Sequence, residues 1–204
     1  MFKKFLELNK GKIKFGLWFG SLFCTTIVLI TLAWATRSGD IAENLFFSII
    51  ITAAIIFPIF VMGLGTLTGY LEFKRTNEIL NNYPINELTR HGLELVIKNE
   101  KTKWELSQIM LRGYFNDYPV DCEIEEGLLK FTALVNRDDF KKENMDKLKK
   151  EFGKKKVQYN WLGISLCYTK KERPTAYEQL KSELEQFINF FKKEGLRPWD
   201  KPWE

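Results

Sequence analysis

Apolar and polar positions are distributed very unevenly along this chain. Residues 15–36 and 44–71 contain no Asp, Glu, Lys, Arg or His, whereas the segments outside them carry every charge in the protein. At 1.5 Å rise per residue the first run makes a helix of roughly 33 Å, close to the roughly 30 Å hydrocarbon core of a bilayer. The second run, roughly 42 Å by the same measure, exceeds that core, so it is expected to tilt, bend at Pro58 or extend its last turns beyond it. The expected spans are 15–36 and 45–70. They are joined by an external loop at 37–44, preceded by a basic N-terminal segment at 1–14 and followed by a helical connector at 71–92. Trp18 and Trp34 stand roughly 24 Å apart along a helix, one near each interface, as anchors of an aromatic belt.

Beyond residue 92 the period shortens. Leu93 to Lys98, Lys103 to Phe115, Tyr118 to Glu125 and Leu128 to Val135 read as strands separated by short turns, which implies antiparallel neighbours. In the third of these, Val120, Cys122 and Ile124 alternate with Asp121, Glu123 and Glu125, so one face is expected in the core and the other in water. Phe140, Met145, Leu148 and Phe152 return to a helical period that Gly153 stops. Val157 to Tyr168 reads as one further, central strand. A last helix carries Tyr177, Leu180, Leu184, Phe187, Ile188 and Phe191 on one stripe, with Thr175 and Glu178 as its expected capping box and Gly195 after its end. The fold class expected is α+β: a two-helix transmembrane hairpin followed by a cytoplasmic domain, 93–197, with a mostly antiparallel sheet and helices on one face. A Pro-Trp tail, 198–204, closes the chain.

Charge sets the orientation. Of 204 residues, 31 are Lys or Arg and 26 Asp or Glu, but Lys3, Lys4, Lys10, Lys12 and Lys14 precede the first span. Lys74 and Arg75 follow the second, while the link between the spans holds Arg37 with Asp40 and Glu43. The positive-inside rule then places both termini in the cytoplasm and the protein in the plasma or inner membrane. Ala33-Trp34-Ala35 resembles a signal-peptidase site, but the apolar run before it is longer than the roughly 7–15 residues of a signal h-region.

The spans lack the ionisable groups on which proton relays and voltage sensors depend. Their hydroxyls, among them Thr25, Thr26, Thr31, Ser48, Thr52, Thr66 and Thr68, are expected to bond their own backbone carbonyls, with a pore lining as the alternative. Gly16 and Gly20 in the first span and Gly65 and Gly69 in the second form two GxxxG pairs at similar depth in an antiparallel hairpin. Such pairs let helices approach within the hairpin or between copies of the chain.

Chemistry is sparse. His91 is the only histidine and stands at an expected helix end; Cys122 and Cys167 fall in apolar strands, and Cys24 lies in the first span. No nucleophile–base pattern, metal-ligand spacing or phosphate-cradling glycine loop occurs, so neither catalytic, cofactor-binding nor metal residues are expected. After residue 70 basic and acidic residues nearly balance, which argues against nucleic acid as a partner. Two patches remain. Lys147, Lys149, Lys150, Lys154, Lys155 and Lys156 are expected to meet anionic lipid head groups or to form a solvated face. Trp199 and Trp203 are expected to dock on their own domain, at the membrane interface as anchors, or on a partner. The partners expected are the bilayer, its anionic head groups, and a second copy of the chain or another protein. The expected role is a membrane tether for a binding or scaffolding domain; an oligomeric pore or transporter subunit, and a membrane-tethered enzyme without a recognisable motif, are the alternatives.

Overall fold

The computed structural model describes residues 1–36, 48–159, 163–200 and 203. The expected external loop, the opening residues 45–47 of the second span and most of the last four residues lie outside the described residues. The chain divides into two compact units, Met1–Lys74 with Asn99–Ser107, and Arg75–Lys98 with Gln108–Glu204.

The first unit is built on two long helices. Helix α1, Phe2–Thr36, runs without a break from the basic segment into the apolar run, because Leu, Lys and Glu before residue 15 are all good helix formers. The expected boundary at residue 14 is therefore chemical and not conformational. Phe2, Phe5 and Asn9 share one face by their helical spacing; Phe5 and Asn9 are fully buried, and the Phe5 ring lies 5.3 Å from Phe73 and 5.7 Å from Tyr70. Helix α2, Ser48–Leu80, contains one π turn at Thr52–Ile56, immediately before Pro58. The irregularity expected at the proline takes this form. A proline has no N–H to give the carbonyl four residues earlier, and its ring crowds that carbonyl, so the backbone widens by one residue there.

The second unit is an α+β domain around a six-stranded antiparallel sheet. Its strands are β1 (Leu93–Lys98), β2 (Gln108–Phe115), β3 (Tyr118–Glu125), β4 (Leu128–Ala133), β5 (Val157–Tyr159) and β6 (Ile164–Tyr168), in the order β1-β2-β3-β4-β6-β5. A 3₁₀ turn, Ile85–His91, leads into the sheet and ends at Gly92, whose φ of 96° reverses the chain. Both central residues of the β2–β3 turn, Asn116 and Asp117, have positive φ, as have Glu126 and Gly127 between β3 and β4. Tight hairpins need that hand of turn to match the strand twist.

Two strand assignments differ from the sequence reading. The segment 103–107 is not part of β2; it belongs to the first unit. Val157 to Tyr168 is a hairpin and not one strand: β6 is interior, paired with β4 and β5, and β5 forms the edge.

One face of the sheet is the core. Leu111, Cys122, Phe131 and Leu166 are opposite one another across four strands and all are fully buried. Helices α3 (Lys142–Phe152) and α4 (Tyr177–Lys193) cover this face. Phe187 of α4 meets Phe152 of α3 at 5.7 Å, Phe191 meets Tyr118 at 5.9 Å, and the Tyr168 hydroxyl donates to Glu183 at 2.8 Å. The expected capping box of α4 does not form. The helix starts at Tyr177 after Ala176 with no side-chain cap, and the Tyr177 N–H donates instead to the Tyr83 hydroxyl at 3.0 Å.

The other face is polar; Glu125 is exposed as expected, but Asp121 is buried and Glu123 half-buried where a solvated surface was expected. Arg112 holds Asp121 through two hydrogen bonds, 2.8 and 2.9 Å, Lys98 pairs with Glu123, and Lys130 pairs with Glu125 at 2.5 Å. Asp121, Lys130, Thr132 and Ser165 are buried, and the Thr132 and Ser165 hydroxyls share a hydrogen bond of 2.8 Å. Asp121, Lys130, Thr132 and Ser165 thereby find the partners that burial demands, whereas Gln108 Oε1 in β2 is buried without one.

Candidate functional site

In the helix pair, α1 and α2 each pass the length and hydropathy requirement for a membrane crossing, and only 6% of each span is buried. Trp18 is 63% exposed and Trp34 80% exposed, so both indoles project away from the helix pair. The glycines divide. A Cβ at Gly16 would lie 2.6 Å from Cε of Met62, and one at Gly20 would lie 3.6 Å from Cβ of Pro58, so the first GxxxG pair faces α2. Gly65 has no atom within 4 Å of such a Cβ, and Gly69 is covered by Leu106 and Phe5. Gly16, Gly20 and Gly69 thus lie against larger side chains, Gly65 lies against none, and the two pairs do not pack on each other. A close approach at Gly16 and Gly20 lets the Ser21 hydroxyl donate to the Ala54 carbonyl. Thr25, Thr26, Thr31 and Thr68 donate to the carbonyls of Ser21, Leu22, Ile27 and Leu64 at 2.7 to 3.0 Å. Apolar clefts of about 480 and 570 Å³ flank the pair, the first beside Cys24 and Thr52 and the second beside Trp18 and Pro58.

Asn99–Ser107 is latched to the same two helices. Asn9 accepts the Ser107 N–H at 2.7 Å and donates to the Phe5 carbonyl at 3.1 Å, while Lys12 donates to the carbonyls of Asn99 and Glu105. Leu106 fills the gap over Gly69, and Trp104 lies edge-on to Phe15 and Phe19 at 4.8 and 5.1 Å. Trp104 remains 70% exposed. The sequence signal for this latch is an Asn within the polar, basic segment, which is invisible until its partner is known.

In the domain, the six lysines do not form one face. Lys147 pairs with Glu194 at 2.6 Å, Lys149 is half-buried and Lys150 is exposed. Gly153 then turns the chain, leaving Lys154 and Lys155 exposed and placing the Lys156 ammonium 5.3 Å over the Tyr168 ring. The tail docks on its own domain. Pro198 bridges Val135, the Trp199 N–H donates to the Leu134 carbonyl at 3.1 Å, and Asp139 holds Arg197 at 2.8 and 3.0 Å, a contact that lowers its carboxyl below the usual range. The Trp203 indole donates to Asp121 at 3.2 Å, lies 5.2 Å under the Arg112 guanidinium and 5.3 Å from Tyr114.

The titratable groups of the sheet are poised for structure. Burial drives the Cys122 thiol well up and the Cys167 thiol to about 11, keeping both protonated, and burial followed by the Glu183 hydrogen bond drives Tyr168 up. The Lys130 hydrogen bond lowers Glu125. His91 stacks on Tyr177 at 5.1 Å. Among the described residues no group of three or more His, Cys, Asp or Glu converges on a metal position.

One cluster escaped the sequence reading. A Cβ at Gly127 in the β3–β4 turn would lie 3.6 and 3.8 Å from Nη2 and Nη1 of Arg75. Arg173 donates from Nη2 to the Gly127 carbonyl at 3.0 Å, and its Nε is buried without a hydrogen-bond partner. Burial, and then the Arg75 charge, lowers the Arg173 guanidinium from its ordinary value. Two arginines so far apart in sequence leave no local signature. No family model, curated protein or solved structure matches this chain.

Proposed function

We propose that the chain is an integral membrane protein of the plasma or inner membrane, with both termini in the cytoplasm, whose two-helix anchor tethers an α+β binding or scaffolding domain. The observation that carries this reading is the exposure of uncharged apolar side chains around both helices: Trp18, Ile30, Trp34, Phe57 and Phe60 are each more than half exposed. Water would oppose that surface at about 25 cal/mol per Å², whereas acyl chains accept it. The core helix of a soluble domain would bury those side chains. Five lysines before the first span and Lys74 and Arg75 after the second support the orientation.

The domain's role as a binder rests on its arrangement. Buried Asp121 is paired with Arg112 and accepts from the Trp203 indole, and burial keeps the Cys122 and Cys167 thiols protonated, so these groups serve the fold. The pore reading draws little support from threonines that bond their own helix.

The test is fractionation of the expressed full chain followed by alkaline carbonate extraction, with reporters fused after residue 204 and inserted at residue 40. Retention in the carbonate-washed pellet, with the first reporter cytoplasmic and the second external, is the expected result. Release into the soluble fraction overturns the anchor, and inverted reporters overturn the orientation.

A further inference from the structure

We propose that Arg75 and Arg173, converging on the Gly127 turn, form a binding site for a phosphate group. The two guanidinium groups meet at one glycine: Arg75 reaches within 3.8 Å of where a Cβ would stand, and Arg173 bonds the Gly127 carbonyl. Like charges held together at a turn repel unless an anion lies between them. Two carboxylates close in sequence to Gly127 and Arg173 already have partners. Glu125 is taken by Lys130, and Glu172 accepts from the backbone N–H and hydroxyl of Thr169 at 3.2 and 2.6 Å. Neither Arg75 nor Arg173 takes part in an ion pair among the described residues.

The donors suit phosphate. Arg173 spends Nη2 on the carbonyl and keeps Nε, buried and unpartnered, as a donor for a second acceptor. The planar fork of each guanidinium matches the spacing of two phosphate oxygens, and two forks together satisfy three. Gly127 has a φ of 79°, and a Cβ there would make ordinary van der Waals contact with the Arg75 guanidinium, so the two lie side by side at the turn. Arg75 also follows the uncharged run closely: it stands four residues beyond Leu71 on the continuous helix α2, about 6 Å along its axis. On the membrane reading above, on which this placement rests, that is the depth of lipid phosphates. A lipid head group and a free phosphate share the chemistry, and the experiment separates them.

The full chain is purified in maltoside micelles and its thermal unfolding midpoint is followed in two titrations. One uses inorganic phosphate against chloride at matched ionic strength; the other uses phosphatidic acid against diacylglycerol with the same acyl chains. The wild type is expected to gain a saturable rise of several degrees with at least one phosphate carrier. Arg75→Gln and Arg173→Gln are expected to weaken the apparent affinity at least tenfold, while Lys170→Gln/Lys171→Gln, which removes more charge from the neighbouring loop, stays within twofold. Arg173→Gln also loses a bond to the turn, so Arg75→Gln, whose side chain makes no described hydrogen bond, decides if the former fails to fold. A response to phosphatidic acid alone assigns the site to lipid, a response to inorganic phosphate alone to a soluble anion, and a response to both supports the shared site. No response to either, or an Arg75→Gln protein that responds like wild type, overturns the proposal. The inorganic phosphate arm involves no bilayer, so it stands or falls separately from the carbonate extraction that tests the anchor.

Discussion

The Ser21 hydroxyl of α1 donates to the Ala54 carbonyl of α2, which lies in the π turn four residues before Pro58, where the proline interrupts the regular backbone bonding. In a low-dielectric setting an orphaned carbonyl is costly, and the neighbouring helix supplies a donor. Gly20 lies against the Pro58 ring, a Cβ there standing 3.6 Å from Cβ of Pro58. One proline, one serine and one glycine on two helices thus form a single unit of packing.

Ser21→Ala should destabilise the helix pair by about 0.6 kcal/mol and at most about 1.7 kcal/mol, the range for interhelical hydrogen bonds in membranes. In a Pro58→Ala background, where residue 58 regains its N–H, the same substitution should cost close to nothing. A double-mutant cycle on unfolding in micelles measures the coupling. Additive effects would show that the Ser21 bond and the proline are unrelated.

Asn9 does for the 99–107 segment what Ser21 does for α2. Its side chain is fully buried and takes the Ser107 N–H while giving its own N–H to Phe5. Asn9→Leu keeps the volume and removes the acceptor, leaving a buried donor unpaired at about 1–3 kcal/mol. The expected result is faster hydrogen exchange at the Ser107 amide and faster proteolysis between Lys101 and Lys103, with the β3–β4 amides unchanged. Unaltered exchange at Ser107 would mean the segment is held by Trp104 and Leu106 alone.

These latches explain what was legible in the sequence and what was not. The two uncharged runs announce α1 and α2 because charge depletion over a helix length is a local property. The alternation from Val120 to Glu125 announces β3 for the same reason, and the paired positive φ values at Asn116-Asp117 and Glu126-Gly127 fall where polar residues and glycine mark turns. Trp104 and Leu106 misled the strand reading because their apolar side chains serve the helices and not the sheet. Local periodicity records that a side chain is buried but not against what. Asp121 and Glu123 looked solvated because their cations, Arg112 and Lys98, lie on other strands, and the convergence of Arg75 and Arg173 depends wholly on tertiary placement.

Gly113 in β2 is a close-approach glycine. A Cβ there would overlap the Gly92 carbonyl oxygen and lie 2.8 Å from the Leu93 Cα, all backbone that cannot swing aside. Gly113→Ala should therefore cost about 1–3 kcal/mol or more by overpacking, seen as a lowered unfolding midpoint. Gly11→Ala in α1 is the contrast: nothing lies within 4 Å, so replacement should stabilise the helix by up to about 1 kcal/mol. Equal effects of the two would show that β1 and β2 separate without cost at this point.

Alkaline stability should turn on the buried thiols. Cys167 is 3% exposed, and burial raises its thiol from 9.0 to about 11, with Lys130 opposing and Glu125 reinforcing the shift; Cys122, fully buried, moves in the same direction. A raised acid keeps its proton in the fold longer than in the unfolded chain. Below about pH 9 both states hold that proton, and Cys167 adds no pH dependence. Between about pH 9 and pH 11 the unfolded chain ionises and the folded one does not, so unfolding becomes easier by about 1.4 kcal/mol per pH unit for this one group. Above about 11 the folded thiol also ionises and the slope from this residue ends. Cys167→Ala removes the titration, and denaturant unfolding of the full chain from pH 7 to 11 should show the decline above pH 9 shallower by that one-proton slope, whatever the variant's offset at pH 7. Identical slopes in the two proteins would mean that the Cys167 thiol ionises in the fold as readily as in water.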